Sequence, residues 1–242
     1  MRYALFGAAF VCLVGCGAAP VVPSAPEELD TTVTEQEAAP AEAPPQVEIE
    51  GIMGTISADD VRRGLEPRMR RFGMCFSRRY DELEVLAGEL VMGFRVDREG
   101  RVLWVRPVRS TVGDRQTESC LLDVARGARF RPPRGGEAEF TYPLAMDLAD
   151  GVRAPLAWGS ERMQASIARF GEELLQECRP AGQSGGYSIT AYVERPGRIL
   201  AVGATTDAEP LVETLDCVVE HVRGWETATP GSYPARVSFE VR

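Results

Sequence analysis

Gly100-Arg101-Val102-Leu103-Trp104-Val105 recurs as Gly197-Arg198-Ile199-Leu200-Ala201-Val202, a duplicated hexapeptide. From Gly100 to Cys120 is 20 residues, and from Gly197 to Cys217 is again 20. Another cysteine precedes each glycine, Cys75 by 25 residues and Cys178 by 19. A shared hexapeptide, cysteine order and spacing identify an internal repeat. They divide the folded part into two tandem domains, 51–150 and 151–242, that meet near Asp150–Leu156.

Outward from each glycine, the hydrophobic period gives the same order of elements twice. In the first copy, Ser57 and Asp60 resemble a capping box. Val61, Leu65, Met69, Phe72, Cys75 and Phe76 form one helical stripe, with Pro67 predicting a kink or a late helix start. Leu90, Met92, Phe94 and Val96 alternate as a strand, Asp97–Gly100 turns, and Arg101–Arg109 returns. A helix around Cys120, Leu121 and Val124 follows, then a strand over Phe140–Met146. The second copy has a helix through Met163, Ile167, Phe170, Leu174 and Cys178, and a strand through Tyr187, Ile189, Ala191 and Val193. Pro196-Gly197 supplies the turn, Leu211, Leu215, Val218 and Val222 stripe the second helix, and Ala235, Val237, Phe239 and Val241 alternate to the end. The fold class is therefore α+β: two tandem two-layer units, each helix–strand–strand–helix–strand, with two helices over one face of a three-stranded, antiparallel-rich sheet.

Before the repeat lies an address. Residues 1–15 have the single positive charge of Arg2 and then a short apolar run, the pattern of a signal peptide. It ends in Leu13-Val14-Gly15-Cys16, which resembles a bacterial lipobox. That resemblance implies a lipidated Cys16, several acyl chains and a durable membrane anchor. Gly17 stands where an Asp would, in enteric bacteria, favour inner-membrane retention, so the expected location is the outer membrane, facing the periplasm. Residues 16–50 form a stalk: 18–50 hold eight acids, no base and six prolines. Such a tract is expected to stay disordered, spanning about 30 Å as a flexible chain and more when charge and proline extend it.

The charge balance narrows the function. All 27 basic residues are arginine, and the net charge is −9. The stalk holds −8 of it, while residues 51–150 carry 17 Arg against 16 acids. A nearly neutral folded part argues against nucleic-acid binding. No apolar run reaches the roughly 18–20 residues of a membrane-spanning helix.

Cys12 falls in the leader and Cys16 takes lipid, leaving Cys75, Cys120, Cys178 and Cys217 in an oxidising compartment. Of three possible connectivities the repeat selects Cys75–Cys120 and Cys178–Cys217, because each pair joins the two helices that pack side by side. No Cys-X-X-Cys occurs, and the cysteines sit on apolar helix faces where thiols are inert.

Gly88-Glu-Leu-Val-Met-Gly-Phe-Arg-Val-Asp-Arg-Glu-Gly-Arg-Val, followed by Ser110-Thr111, Cys120, Phe130-Arg-Pro-Pro and Tyr142-Pro143, resembles the AgmX/PglI C-terminal domain. That family is a TonB C-terminal-like branch found in myxobacterial envelope proteins. The resemblance covers about residues 55–147. The second copy keeps the cysteines and the glycine hairpin but lacks the Ser-Thr and Tyr-Pro elements, and so reads as a diverged repeat. The resemblance implies the same helix–strand–strand–helix–strand fold and links the chain to gliding and other envelope assemblies. TonB-type transducers draw on a proton-driven motor through an inner-membrane helix. A lipid in its place leaves the recognition half of such a machine.

The expected role is a non-catalytic, protein-binding adaptor or scaffold, anchored to the membrane by lipid and partnered by an envelope protein. A structural lipoprotein touching glycan or lipid is one alternative, and a component of a TonB-type energy-transducing or gliding-motility assembly is another. No cofactor, metal or small-molecule substrate is expected: the lone His221 lacks a surrounding constellation, the absence of lysine excludes Ser-X-X-Lys, and no Gly-rich phosphate loop appears. The candidate partner surface is Arg62, Arg63, Arg70, Arg71 and Arg78 on the polar side of the first helix, together with Trp104 on the hairpin. The uncovered edge of the sheet is a further route, by addition of a partner strand.

Overall fold

The structure, a computed structural model, describes residues 54–80, 82–208 and 212–242. The expected leader, lipidated Cys16 and stalk lie outside the described residues. The first half begins with α1 (Ala58–Leu65), whose N-cap Ser57 accepts the amide of Asp60 at 3.1 Å. Pro67 then falls in a 3₁₀ turn, Glu66–Arg68, and α2 (Met69–Tyr80) follows at once. A proline here removes an amide the α-helix would use, and the tighter turn accommodates its loss. Each 3₁₀ residue advances about 20° more than an α-helical one, so three of them rotate α2 by about 60°. Met69, expected on the buried stripe, is thereby swung out and 37% exposed, while Val61, Leu65, Phe72 and Cys75 stay buried.

The strands are β1 (Gly88–Val96), β2 (Val102–Ser110) and, after α3 (Arg115–Arg126), β3 (Ala138–Met146). β1 is central and antiparallel to both neighbours, in the order β2-β1-β3. Leu90, Met92, Phe94 and Val96 point into the core beneath the helices, with Phe94 stacked on Phe140 at 5.0 Å and Phe130 edge-on to both. Pro107 and Pro143 lie on the two outer strands, where a missing amide costs little.

The second half repeats this with α4 (Gln164–Cys178), β5 (Tyr187–Glu194), β6 (Arg198–Thr206), α5 (Val212–Arg223) and β7 (Ala235–Val241). Its sheet has four strands rather than the expected three. Before α4, β4 (Leu156–Trp158) pairs in parallel with the start of β7, giving the order β4-β7-β5-β6. Three residues are too few to show a period-2 pattern. Trp225 fills the second core between Phe170 and Phe239, its indole N–H donating to His221 Nδ1 at 3.0 Å. That bond explains the lone histidine: it satisfies a buried tryptophan.

Both disulfides form as the repeat implied. Cys75 and Cys120 join α2 to α3 with Cα atoms 5.7 Å apart, and Cys178 and Cys217 join α4 to α5 at 5.5 Å. Beside the first bridge, Arg79 of α2 reaches the N-cap of α3, donating to both carboxylate oxygens of Asp114 at 3.0 Å. Asp114 also accepts the Thr117 amide, so one buried carboxylate starts α3 and ties it to α2.

The two halves pack against each other. The outer face of the second sheet, opposite its helices, is covered by the end of β2, the Thr111–Asp114 loop and the first turns of α3. The Tyr192 hydroxyl donates to the Ala87 carbonyl at 3.0 Å and accepts its amide at 3.2 Å. Arg236 reaches the same carbonyl at 2.9 Å, and Arg115 pairs with Asp216 of α5 at 2.7 Å. Tyr192 and Ala201, though on the second sheet, belong to the first half's core.

Candidate functional site

The repeat makes the two sheets comparable position by position, and their outer faces have opposite fates. Arg95 pairs with Trp104 across the first hairpin, and Tyr192 with Ala201 at the corresponding place in the second. Gly93 likewise faces Arg106, where Thr190 faces Gly203. The second sheet thus has small residues where the first has Trp and Arg, and the vacated space receives α3. Nothing among the described residues covers the first sheet's outer face.

That open face is shaped by two β-bulges. The register passes from Arg95↔Trp104 to Val96↔Val102, leaving Leu103 as an extra residue, and from Val91↔Arg109 to Met92↔Pro107, leaving Val108 extra. Bulged residues are re-aimed away from the ladder. Leu103 is 50% and Val108 45% exposed. The equivalent of Leu103 is Leu200, also skipped by a bulge between Tyr192 and Val193, yet Leu200 packs against the first half's core. One residue type at one position in the repeat is covered in one copy and open in the other.

Between the bulges lies a groove of about 240 Å³ with Gly93 on its floor and Trp104, Arg106, Val108, Glu139 and Thr141 around it. A Cβ on Gly93 would come within 2.9 Å of Val108 Cγ2, so glycine keeps the groove open. The Arg106 guanidinium lies over the Trp104 ring at 4.7 Å, which fixes the indole beside the groove. Arg95 is held by Glu137 at 2.7 Å and Glu139 at 3.6 Å along one side. The whole is an apolar strip with an aromatic centre and a charged rim, the composition of protein-docking patches.

The arginine cluster resolves into two parts. Arg62 pairs with Asp59, and Arg63 with Asp60 at 2.6 Å, so α1 neutralises its own cations. The Ser57 hydroxyl bond, and after it the bond from Arg63, draw the Asp60 carboxyl below the usual range. Arg70, Arg71 and Arg78 are exposed and have no ion-pair partner among the described residues. They lie on α2 with Met69 and Met74, 37% and 43% exposed, and α2 contains no acid. This basic, methionine-bearing helix face is distinct from the sheet face that holds Trp104.

A third feature is a hydroxyl-lined cleft of about 540 Å³ at the seam of the halves, with Ser110, Thr111, Ser160, Ser188, Thr190 and Ser238 among its walls. At the inner end of the seam sits Glu118, fully buried, in the first turn of α3. Its position in the repeat is held by Leu215, buried in the second core. An acid where its copy has leucine was the available signal, and the sequence reading missed it. Ser110 donates to Glu118 at 2.6 Å, and a Cβ at Gly203 would overlap the carboxylate. Burial pushes the Glu118 carboxyl up to about 7, against the Ser110 bond and the charge of Arg115.

Among the described residues, no group of three or more His, Cys, Asp or Glu side chains could hold a metal ion, and no helix is long and apolar enough to cross a membrane. Compared with protein-family models, curated proteins and solved structures, the chain matches none.

Proposed function

We propose that this chain is a non-catalytic lipoprotein of the bacterial envelope, each half a TonB C-terminal-like unit, and that it acts as an adaptor whose first unit binds another protein. The observation that carries this reading is the open outer face of the first sheet, with Trp104 clamped by Arg106 and two bulged apolar residues beside it. Tryptophan and arginine are the side chains enriched where binding energy concentrates. The lipobox ending in Cys16 and the acidic stalk would hold this face away from the membrane, and the lipid anchor gives no segment through which a motor could act. Motor-linked transduction therefore ranks below adaptor work.

A photo-crosslinking residue placed at Leu103 in intact cells should trap a discrete protein that Gln183, on an exposed loop of the second half, does not. Trp104→Ala should abolish that adduct while the chain stays folded with both disulfides formed, because Trp104 lies outside the buried core. Identical patterns from both positions would remove the adaptor reading. The hydroxyl-lined cleft favours a second reading, contact with envelope glycan. Sedimentation with purified peptidoglycan or lipopolysaccharide, unaffected by Trp104→Ala, would favour it over the first.

A further inference from the structure

Among the described residues, Glu118 is a fully buried carboxylate that the adaptor reading leaves without a role, and it lies where the halves meet. The Ser110 hydroxyl donates to its Oε1, and the carboxylate lies against β6 at Gly203. Its Oε2 has no hydrogen-bond partner among the described residues. A protonated carboxyl needs one donor fewer and carries no charge into the seam. An ionised one leaves a charged oxygen buried and unsatisfied, which costs free energy until water reaches it. Lifting α3 from Gly203, against which the carboxylate now sits, would let water in on that side.

The surrounding charges do not neutralise it. On its own helix Arg115 is committed to Asp216 at 2.7 Å, and Asp114 to Arg79 at 3.0 Å. On the second sheet's outer face, Tyr192 is bonded to Ala87, and Arg236 reaches the same carbonyl. On β6, Gly203 lies against it and is uncharged. On β2, Arg109 pairs with Glu89 at 2.6 Å.

We propose that Glu118 is a protonation-operated latch between the two halves: neutral, it holds α3 against β6, and ionised, it loosens the seam and uncovers the outer face of the second sheet. The sign follows from the raised folded-state value. The latch is fully held below the ordinary carboxyl value of 4.5 and is lost as pH rises through about 7. The device does not depend on the adaptor reading.

Hydrogen exchange of the full chain, disulfides intact, read by mass spectrometry between pH 5 and 8, tests it. After correction for intrinsic exchange, the opening constant of Ala201–Thr206 should rise about tenfold or more, while the helix-facing core of α4 and α5 changes little. Glu118→Gln, which supplies a neutral side chain of the same shape, should flatten that rise and leave the seam closed at pH 8. Should the Gln variant fold poorly, Ser110→Ala in the same assay should steepen the response by removing a bond to the ionised form. An unchanged pH response in Glu118→Gln overturns the latch. So does a rise spread evenly over both cores, which would report global stability instead of a seam.

Discussion

Single side chains decide which parts of this molecule are rigid. Arg79 and Asp114 form a two-pronged ion pair with side-chain exposures of 12% and 1%, beside the first disulfide. Removing the cation strands a buried carboxylate, so Arg79→Ala should lower stability by about 3 kcal/mol in urea unfolding near neutral pH. The Asp114 bond also raises the Arg79 guanidinium above its usual value, so the cation stays charged throughout. A change no larger than that of an exposed arginine such as Arg98→Ala would show that the pair contributes little. Residues at this scale were unevenly legible. The cysteine pairs could be read because the repeat fixed their spacing. Glu118 could not be read as special from its type and helix position alone; only the leucine in its copy marks it. Arg62 and Arg63, grouped in sequence with Arg70, Arg71 and Arg78, separate once Asp59 and Asp60 are seen to take them.

At the scale of elements, each half has a hairpin and a third strand under two helices stapled together, and the second half adds β4 beside β7. The bridge Cys75–Cys120 closes 45 residues of sequence separation. On the chain-entropy estimate its loss costs about 4 kcal/mol, and double replacement by serine should shift the urea midpoint accordingly. Loss of less than about 1 kcal/mol would mean that packing alone holds α2 to α3. Pro67 marked the interruption between α1 and α2 in the sequence, since proline removes an amide wherever it falls. The rotation that exposes Met69 was not legible, because it depends on the interruption being a 3₁₀ turn. The bulges at Leu103 and Val108 were also hidden: an extra residue in one strand is defined by its partner strand. β4 was missed for a similar reason, being strand only by virtue of β7 beside it.

For the whole molecule, the consequence of duplication is asymmetry. Two copies with one topology meet so that the first covers the second's outer sheet face, and its own equivalent face stays open. The contrasts between Trp104 and Ala201, and between Arg106 and Gly203, are the sequence trace of this arrangement. They are visible in the aligned repeat, the first inside the hexapeptide and the second just after it, but their meaning needed the contact with α3. The adaptor role proposed above rests on that asymmetry more than on any single residue. Hydroxyl-radical footprinting of the intact, oxidised chain tests it most directly, comparing Leu103, Trp104 and Val108 with Leu200 and Tyr192. Strong labelling of the first three and protection of the last two is the expected result. Equal labelling of Leu103 and Leu200 would mean that the two faces are alike, and would contradict the packing on which the proposed docking surface depends.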